Sequence, residues 1–335
     1  MSDNEPQIYL KEAETLLDQG NYEGAVLAYR KVVDLDPCCN EAWLMLGSIY
    51  GETGKLDEAV THLQRAIELV PDNATAQHAL GQVRYAMGDV DSALACLEKA
   101  VASSPDDPVV QCALGDIYRE KGDIENAVAV YEKAMACDQA PEQGWAMLGY
   151  LQLQRGDPIR AEACYRNALT ASPHDSAAVT GWCAAVTQID TSDSVDVFMQ
   201  QLFESNTNEP EICFQLANVN AQLGRQAEAI DCIDKALQSE PGNDLYRISK
   251  AGILQGKGDL PACFEIIKPY LESQPVNPNA VLVLAKFSHI VGLKNECIQL
   301  LQGVLASENL APEIRTEVSA ALDWVKSAEV IGTTP

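Results

Sequence analysis

The chain has 335 residues, 47% of them hydrophobic and 6% aromatic, with 23 Lys plus Arg against 49 Asp plus Glu and a formal charge of −26. That acidity argues against DNA, RNA or an anionic membrane as partner, because phosphate binding rests on a basic surface. No run approaches the roughly 20 consecutive apolar residues of a membrane helix, so direct membrane insertion is not expected.

Residues 1–5 lack the basic-then-apolar pattern of a secretory leader and are expected to form a short tail. Nine segments of 34 residues follow end to end, at 6–39, 40–73, 74–107, 108–141, 142–175, 176–209, 210–243, 244–277 and 278–311. Glycine recurs at Gly20, Gly54, Gly88, Gly122, Gly156, Gly224, Gly258 and Gly292, and only Asp190 breaks the series. A helix that stops abruptly needs a residue comfortable with positive φ, so each glycine marks a turn between paired helices. Small residues recur before the turn (Ala13, Gly47, Gly81, Gly115, Gly149, Cys183, Ala217, Ala251, Ala285). They recur after it as well, at Ala25, Ala59, Ala93, Ala127, Ala161, Val195, Ala229, Cys263 and Cys297. Helices approach closely only where side chains are small, so these columns set the packing within each pair. A bulky column from Tyr29, Leu63, Leu97, Tyr131 and Tyr165 to Leu301 fills the space beside them. Proline at Pro37, Pro71, Pro105, Pro173, Pro241 and Pro275 stops the second helix.

The second segment carries Trp43, Leu46-Gly47 and Tyr50 on its first helix, then Gly54, Ala59, Leu63, Ala66 and Pro71. This pattern resembles the tetratricopeptide repeat, a helix–turn–helix unit, and the resemblance covers about nine tenths of the chain. It implies an all-α, right-handed superhelical solenoid of nine repeats and a concave groove lined by the first helices. Glu12 stands in the first repeat where inner repeats have Leu, as suits a unit with no neighbour on one side. In the degenerate sixth repeat, 188–194 replaces the glycine turn, and helix periodicity resumes at Val195, Phe198, Met199, Leu202 and Phe203. That repeat reads either as a drifted unit that still packs or as a flexible joint. Pro269 lies inside the second helix of repeat eight and is expected to kink it. Residues 312–328, with Ile314, Val318, Ala321, Leu322 and Val325 on one stripe, form a capping helix, and 329–335 a tail.

Chemistry-bearing motifs are absent. Eleven cysteines, an odd number spread over helical columns, indicate free thiols in a reducing cytosol and not a disulfide framework. His78 and Cys112 share a column in successive repeats, about 8–10 Å apart by helix packing, too far to share one zinc. There is no phosphate loop, zinc-protease helix or serine elbow. No enzyme activity, metal or cofactor is expected, and the chain is read as cytoplasmic.

The groove positions that avoid the packing columns are the second, fifth, ninth, twelfth and thirteenth of each repeat. In repeats one to four they include Glu14, Asp18, Glu41, Glu52, His78, Tyr85, Asp116 and Glu120; six acids there face one base, Arg119. In repeats five to nine they include Tyr150, Leu153, Phe214, Asn218, Ile248, Leu282 and Lys286, with one acid against one base. The groove is thus expected to be acidic at its N-terminal end and neutral and apolar at its C-terminal end. Family members that hold chaperone C-terminal tails use a cationic clamp; the matching positions here are Leu10, Glu14, Met45, Thr75 and Ala79, so that partner is disfavoured. The expected function is a non-catalytic adaptor that holds a protein or peptide, one with a basic segment, in the groove. Two alternatives stay open: a self-assembling structural solenoid, and a detached specificity subunit of a glycosyl- or sulfo-transferase or polysaccharide-export system. Monomer and assembled states are both compatible with the pattern.

Overall fold

The computed structural model describes residues 5–137, 140–189, 193–259, 262–263, 265–266, 294–306, 310 and 312–327. Among them the secondary structure is helical, with no strand. The helices fall into two compact units, Met1–Ala168 and Leu169–Pro335. The first unit carries α1 (Glu5–Asp18), α2 (Tyr22–Leu35), α3 (Asn40–Glu52), α4 (Leu56–Leu69) and α5 (Ala74–Ala86). It continues through α6 (Val90–Ser103), α7 (Pro108–Glu120), α8 (Ile124–Met135) and α9 (Glu142–Gln154), and holds most of α10 (Pro158–Ala171). The second carries α11 (Ser176–Val186), α12 (Asp193–Ser205), α13 (Pro210–Gln222), α14 (Gln226–Ser239) and α15 (Asp244–Lys257). After these come α16 (Lys294–Leu305) and α17 (Pro312–Ser327). Two helices per repeat plus a cap would make nineteen; seventeen lie among the described residues, and Pro269 with its expected kink lies outside them.

The turn between paired helices works as the glycine column requires. Gly20, Gly54, Gly88, Gly122, Gly156, Gly224 and Gly258 all have φ between 72° and 84°. At the third of these the Gly88 N–H donates to the Tyr85 carbonyl at 2.8 Å and the Asp89 N–H to Arg84 at 2.9 Å. Those bonds satisfy carbonyls that the end of α5 would otherwise leave without partners. The next residue starts the second helix: the Asp89 carboxylate accepts from Ser92 N–H, and Asn21, Asp123 and Asp157 do the same for α2, α8 and α10. A Gly-Asx pair therefore ends one helix and caps the following one.

Each pair closes where the small column meets the bulky one. A Cβ placed on Gly81 would lie 2.8 Å from Leu97 Cγ; one on Gly115 would lie 2.6 Å from Tyr131 Cε2, and one on Gly149 would lie 2.9 Å from Tyr165 Cδ2. Leu63 and Leu97 are fully buried, as are Ala59, Ala93 and Ala127 beneath them. Junctions between repeats are latched at the fourth position. Trp43 Nε1–H donates to the Pro37 carbonyl at 2.9 Å, Gln77 reaches Pro71, and Gln111 donates to Pro105. The stop signal of one repeat is thereby tied to the first helix of the next.

The second unit keeps the same frame with different residues. In the sixth repeat Val195, Met199 and Leu202 are buried, so its second helix packs. Asn206, fully buried where other repeats have their proline nearby, donates to Leu202 and Pro173 carbonyls at 2.8 and 3.0 Å and meets His174 Nδ1 at 2.7 Å. The last helix, α17, buries Val318, Ala321, Leu322 and Val325 against Leu301 and Val304 of α16, the stripe expected of a cap. Replacing Gly81 by Ala should destabilise the protein by about 1–3 kcal/mol, because Leu97 must shift in a filled core. Urea unfolding would register this as a lower midpoint with unchanged slope; an unaltered midpoint would show that the small column does not set the helix spacing.

Candidate functional site on the first-helix faces

In the first unit, a hollow of about 420 Å³ opens between α3 and α5, lined by Ser48, Gly51, Glu52, Leu56, Thr75, His78, Ala79, Gln82, Val83 and Ala86. Most of these occupy the groove positions read from the repeat, and Glu52 and His78 are brought together there. In the second unit a hollow of about 260 Å³ between α11 and α13 is lined by Thr180, Cys183, Ala184, Thr187, Gln215, Asn218, Val219 and Gln222. It is uncharged. Thr180 Oγ1 has its hydrogen between the Ser176 carbonyl at 2.8 Å and Gln215 Oε1 at 3.0 Å, and Ser249 Oγ–H donates to Asn218 Oδ1 at 2.8 Å.

Acidity gathers at the N-terminal end. Glu14, Glu41, Glu52 and Glu120 are exposed. Glu14, Glu41 and Asp18 act together on Tyr29, whose phenol is pushed up to about 12, first by burial and then by these carboxylates. Asp116 is different: it is half-buried, accepts the Tyr131 hydroxyl at 2.9 Å and lies 3.5 Å from Arg119. Burial and this carboxylate raise the Tyr131 pKa, so Asp116 is committed to the frame of its own repeat.

The apolar groups divide between exposed and packed. Tyr85 and Tyr150 stand 41% and 45% exposed, while Leu153 is half-buried. Phe214 is half-buried and stacks on Tyr246 with ring centroids 5.0 Å apart, and Ile248 packs against the C-terminal core cluster. Leu282 and Lys286 lie outside the described residues. Val109 and Leu245, 51% and 54% exposed, are further apolar groups on this face. Their signal was an aliphatic residue at the second repeat position, which elsewhere in repeats one to four is Gln, Glu or Thr.

Cysteine and histidine chemistry is muted. The ten described cysteines are free thiols, and burial pushes Cys183, Cys232 and Cys263 up to about 12. No cluster of metal-binding side chains occurs among the described residues, and none of their helices is long and apolar enough to cross a membrane. His78 Nε2 is buried without a hydrogen-bond partner, and burial lowers the ring's pKa, with Asp107 opposing the shift.

Family models agree with this architecture. Tetratricopeptide-repeat models match residues 6–49, 47–88 and 72–140, and the middle TPR-like domain of cilia and flagella-associated protein 70 matches residues 111–240. The chain is a tetratricopeptide-repeat protein, of the class that serves protein interaction as adaptors and scaffolds. Among solved structures it is similar to the C-terminal part of a TPR repeat-containing protein from Cytophaga hutchinsonii, at 15% identity and TM-score 0.58 over 72% of this chain and 98% of that one. It is also similar to MamA from Desulfovibrio magneticus RS-1 (22% identity, TM-score 0.47, 52% and 99% covered). A third is YrrB, described as a TPR protein with an unusual peptide-binding site (18% identity, TM-score 0.44, 55% and 95% covered). Comparison with curated proteins gives no match.

The half-buried His78, whose Nε2 has no hydrogen-bond partner, generates a pH dependence. Its folded pKa lies below the ordinary 6.5, so the stability that the neutral ring contributes is complete above 6.5 and is lost as pH falls through the depressed value. Denaturation midpoints measured from neutral pH downward should drop more steeply for the parent than for His78→Gln. Parallel curves would remove His78 as the cause.

Proposed function

We propose that this chain is a non-catalytic cytoplasmic adaptor that holds an extended protein segment along its first-helix faces. The segment's basic stretch lies over the acidic first unit, and its uncharged stretch over the second. The observation that supports this most is the coincidence of a hollow with the groove positions in each unit, one beside Glu52 and one among neutral amides. The ten free thiols among the described residues suit a reducing compartment.

Exposed aromatic groups carry most binding energy when a partner covers them, whereas rim charges act mainly on association rate. Tyr85 and Tyr150 are therefore better anchors than Phe214 and Ile248, which are already packed within the chain. A partner captured on the intact array should dissociate at least about ten-fold faster from Tyr85→Ala/Tyr150→Ala. Reversal of Glu41, Glu52 and Glu120 to Lys, leaving Asp116 to hold Tyr131, should slow association and flatten its salt dependence. Surface-plasmon kinetics read both effects. If both variants keep their helical spectra and bind undiminished, the first-helix faces are not the site.

A further inference from the structure

The hollow between α3 and α5 includes a glycine in its lining. At the twelfth position of successive repeats in the first unit stand Leu17, Gly51, Tyr85, Arg119 and Leu153. Only repeat two has no side chain there, and a Cβ on Gly51 would approach Val83 Cγ2 to 3.1 Å. Gly51 is among the lining of the cleft of about 420 Å³, within the roughly 300–1,000 Å³ of ligand clefts.

The lining is chemically one-sided. Leu56, Ala79, Val83 and Ala86 form apolar walls, while Ser48, Glu52, Thr75 and Gln82 bring oxygen atoms to the cleft. None of those four side chains has a hydrogen bond or ion pair within the described residues, so their acceptor capacity is unspent. The lining contains one carboxylate and no Lys or Arg. His78, kept neutral by its burial, adds no opposing charge. Walls of this kind accommodate a methylene stem, and a planar guanidinium with five N–H donors matches several converging oxygens better than a point-like ammonium does.

We propose that this cleft seats one arginine side chain of a partner segment, with Glu52 as counter-ion and Ser48, Thr75 and Gln82 as neutral acceptors. The proposal rests on the first-helix reading above and deepens it by naming the side chain that fixes register over the first unit.

The test uses the full chain and two small probes, Nα-acetyl-arginine methylamide and its neutral isostere Nα-acetyl-citrulline methylamide. Each is titrated to tens of millimolar at pH 7.5 while amide and His78 ring resonances are followed by NMR. Arginine should shift signals confined to residues 48–56 and 75–86 together with the His78 ring. Citrulline should bind about ten-fold more weakly, the loss of one charge-assisted contact. Glu52→Gln should bring arginine down to the citrulline level while the spectrum elsewhere is preserved. Gly51→Leu, which fills the cleft, should abolish the localised shifts; its helical spectrum separates a filled cleft from a lost fold. Equal binding of the two probes, shifts spread over all exposed acids, no binding, or an unaffected Glu52→Gln variant would each overturn the proposal. Those outcomes leave the adaptor reading to the tyrosine variants, since a segment can cross the face without inserting a side chain.

Discussion

The close approach of two helices at a residue with little or no side chain is the contact on which the rest of this molecule depends. Gly47, Gly81, Gly115 and Gly149 let a leucine or tyrosine of the second helix lie directly on the first-helix backbone. Close-packed interiors leave little slack, so one such contact fixes where every other side chain of the pair can go. Tyr131 shows the reach of this effect. Its ring rests on Gly115 and its hydroxyl donates to the carboxylate of the next residue of the first helix, Asp116. A packing residue thereby decides which groove acid remains free for a partner.

Repetition of that contact separates two kinds of position. Columns that pack tolerate only small or fitted side chains, while the outward positions of the first helices are free to carry charge, aromatic surface or nothing. Carboxylates at the outward first-helix positions of the first unit and neutral amides at those of the second are therefore variations that the frame permits without being disturbed. The exceptions are instructive. Phe214 and Ile248 stand at outward positions yet have turned their area inward, to Tyr246 and to the C-terminal cluster.

Most of the frame was legible in the sequence because it is enforced by backbone geometry that few residues satisfy. Positive φ demands glycine, close approach demands glycine or alanine, and both demands recur at a fixed interval. The capping stripe of Val318, Ala321, Leu322 and Val325 was readable for the same reason, since helical period alone determines it. The face was less legible. Position within the repeat identified Tyr85 and Tyr150 as outward, but it could not show that Asp116 is held by Tyr131 or that Phe214 stacks on Tyr246. Those outcomes depend on side chains from neighbouring helices, which no single column records. The junction latches escaped notice because Trp43, Gln77 and Gln111 look unrelated until their shared bond to a preceding carbonyl is seen.

The Trp43 latch also makes this protein its own optical probe. Its indole N–H reaches across the first repeat boundary to Pro37, whereas Trp182 lies wholly buried in the second unit. Fraying that begins at the N-terminal repeat frees the Trp43 indole to water before it disturbs Trp182, so emission from single-tryptophan variants would time the loosening of the first repeats against that of the sixth. Arrays whose repeats contact only their neighbours are expected to come apart in such steps.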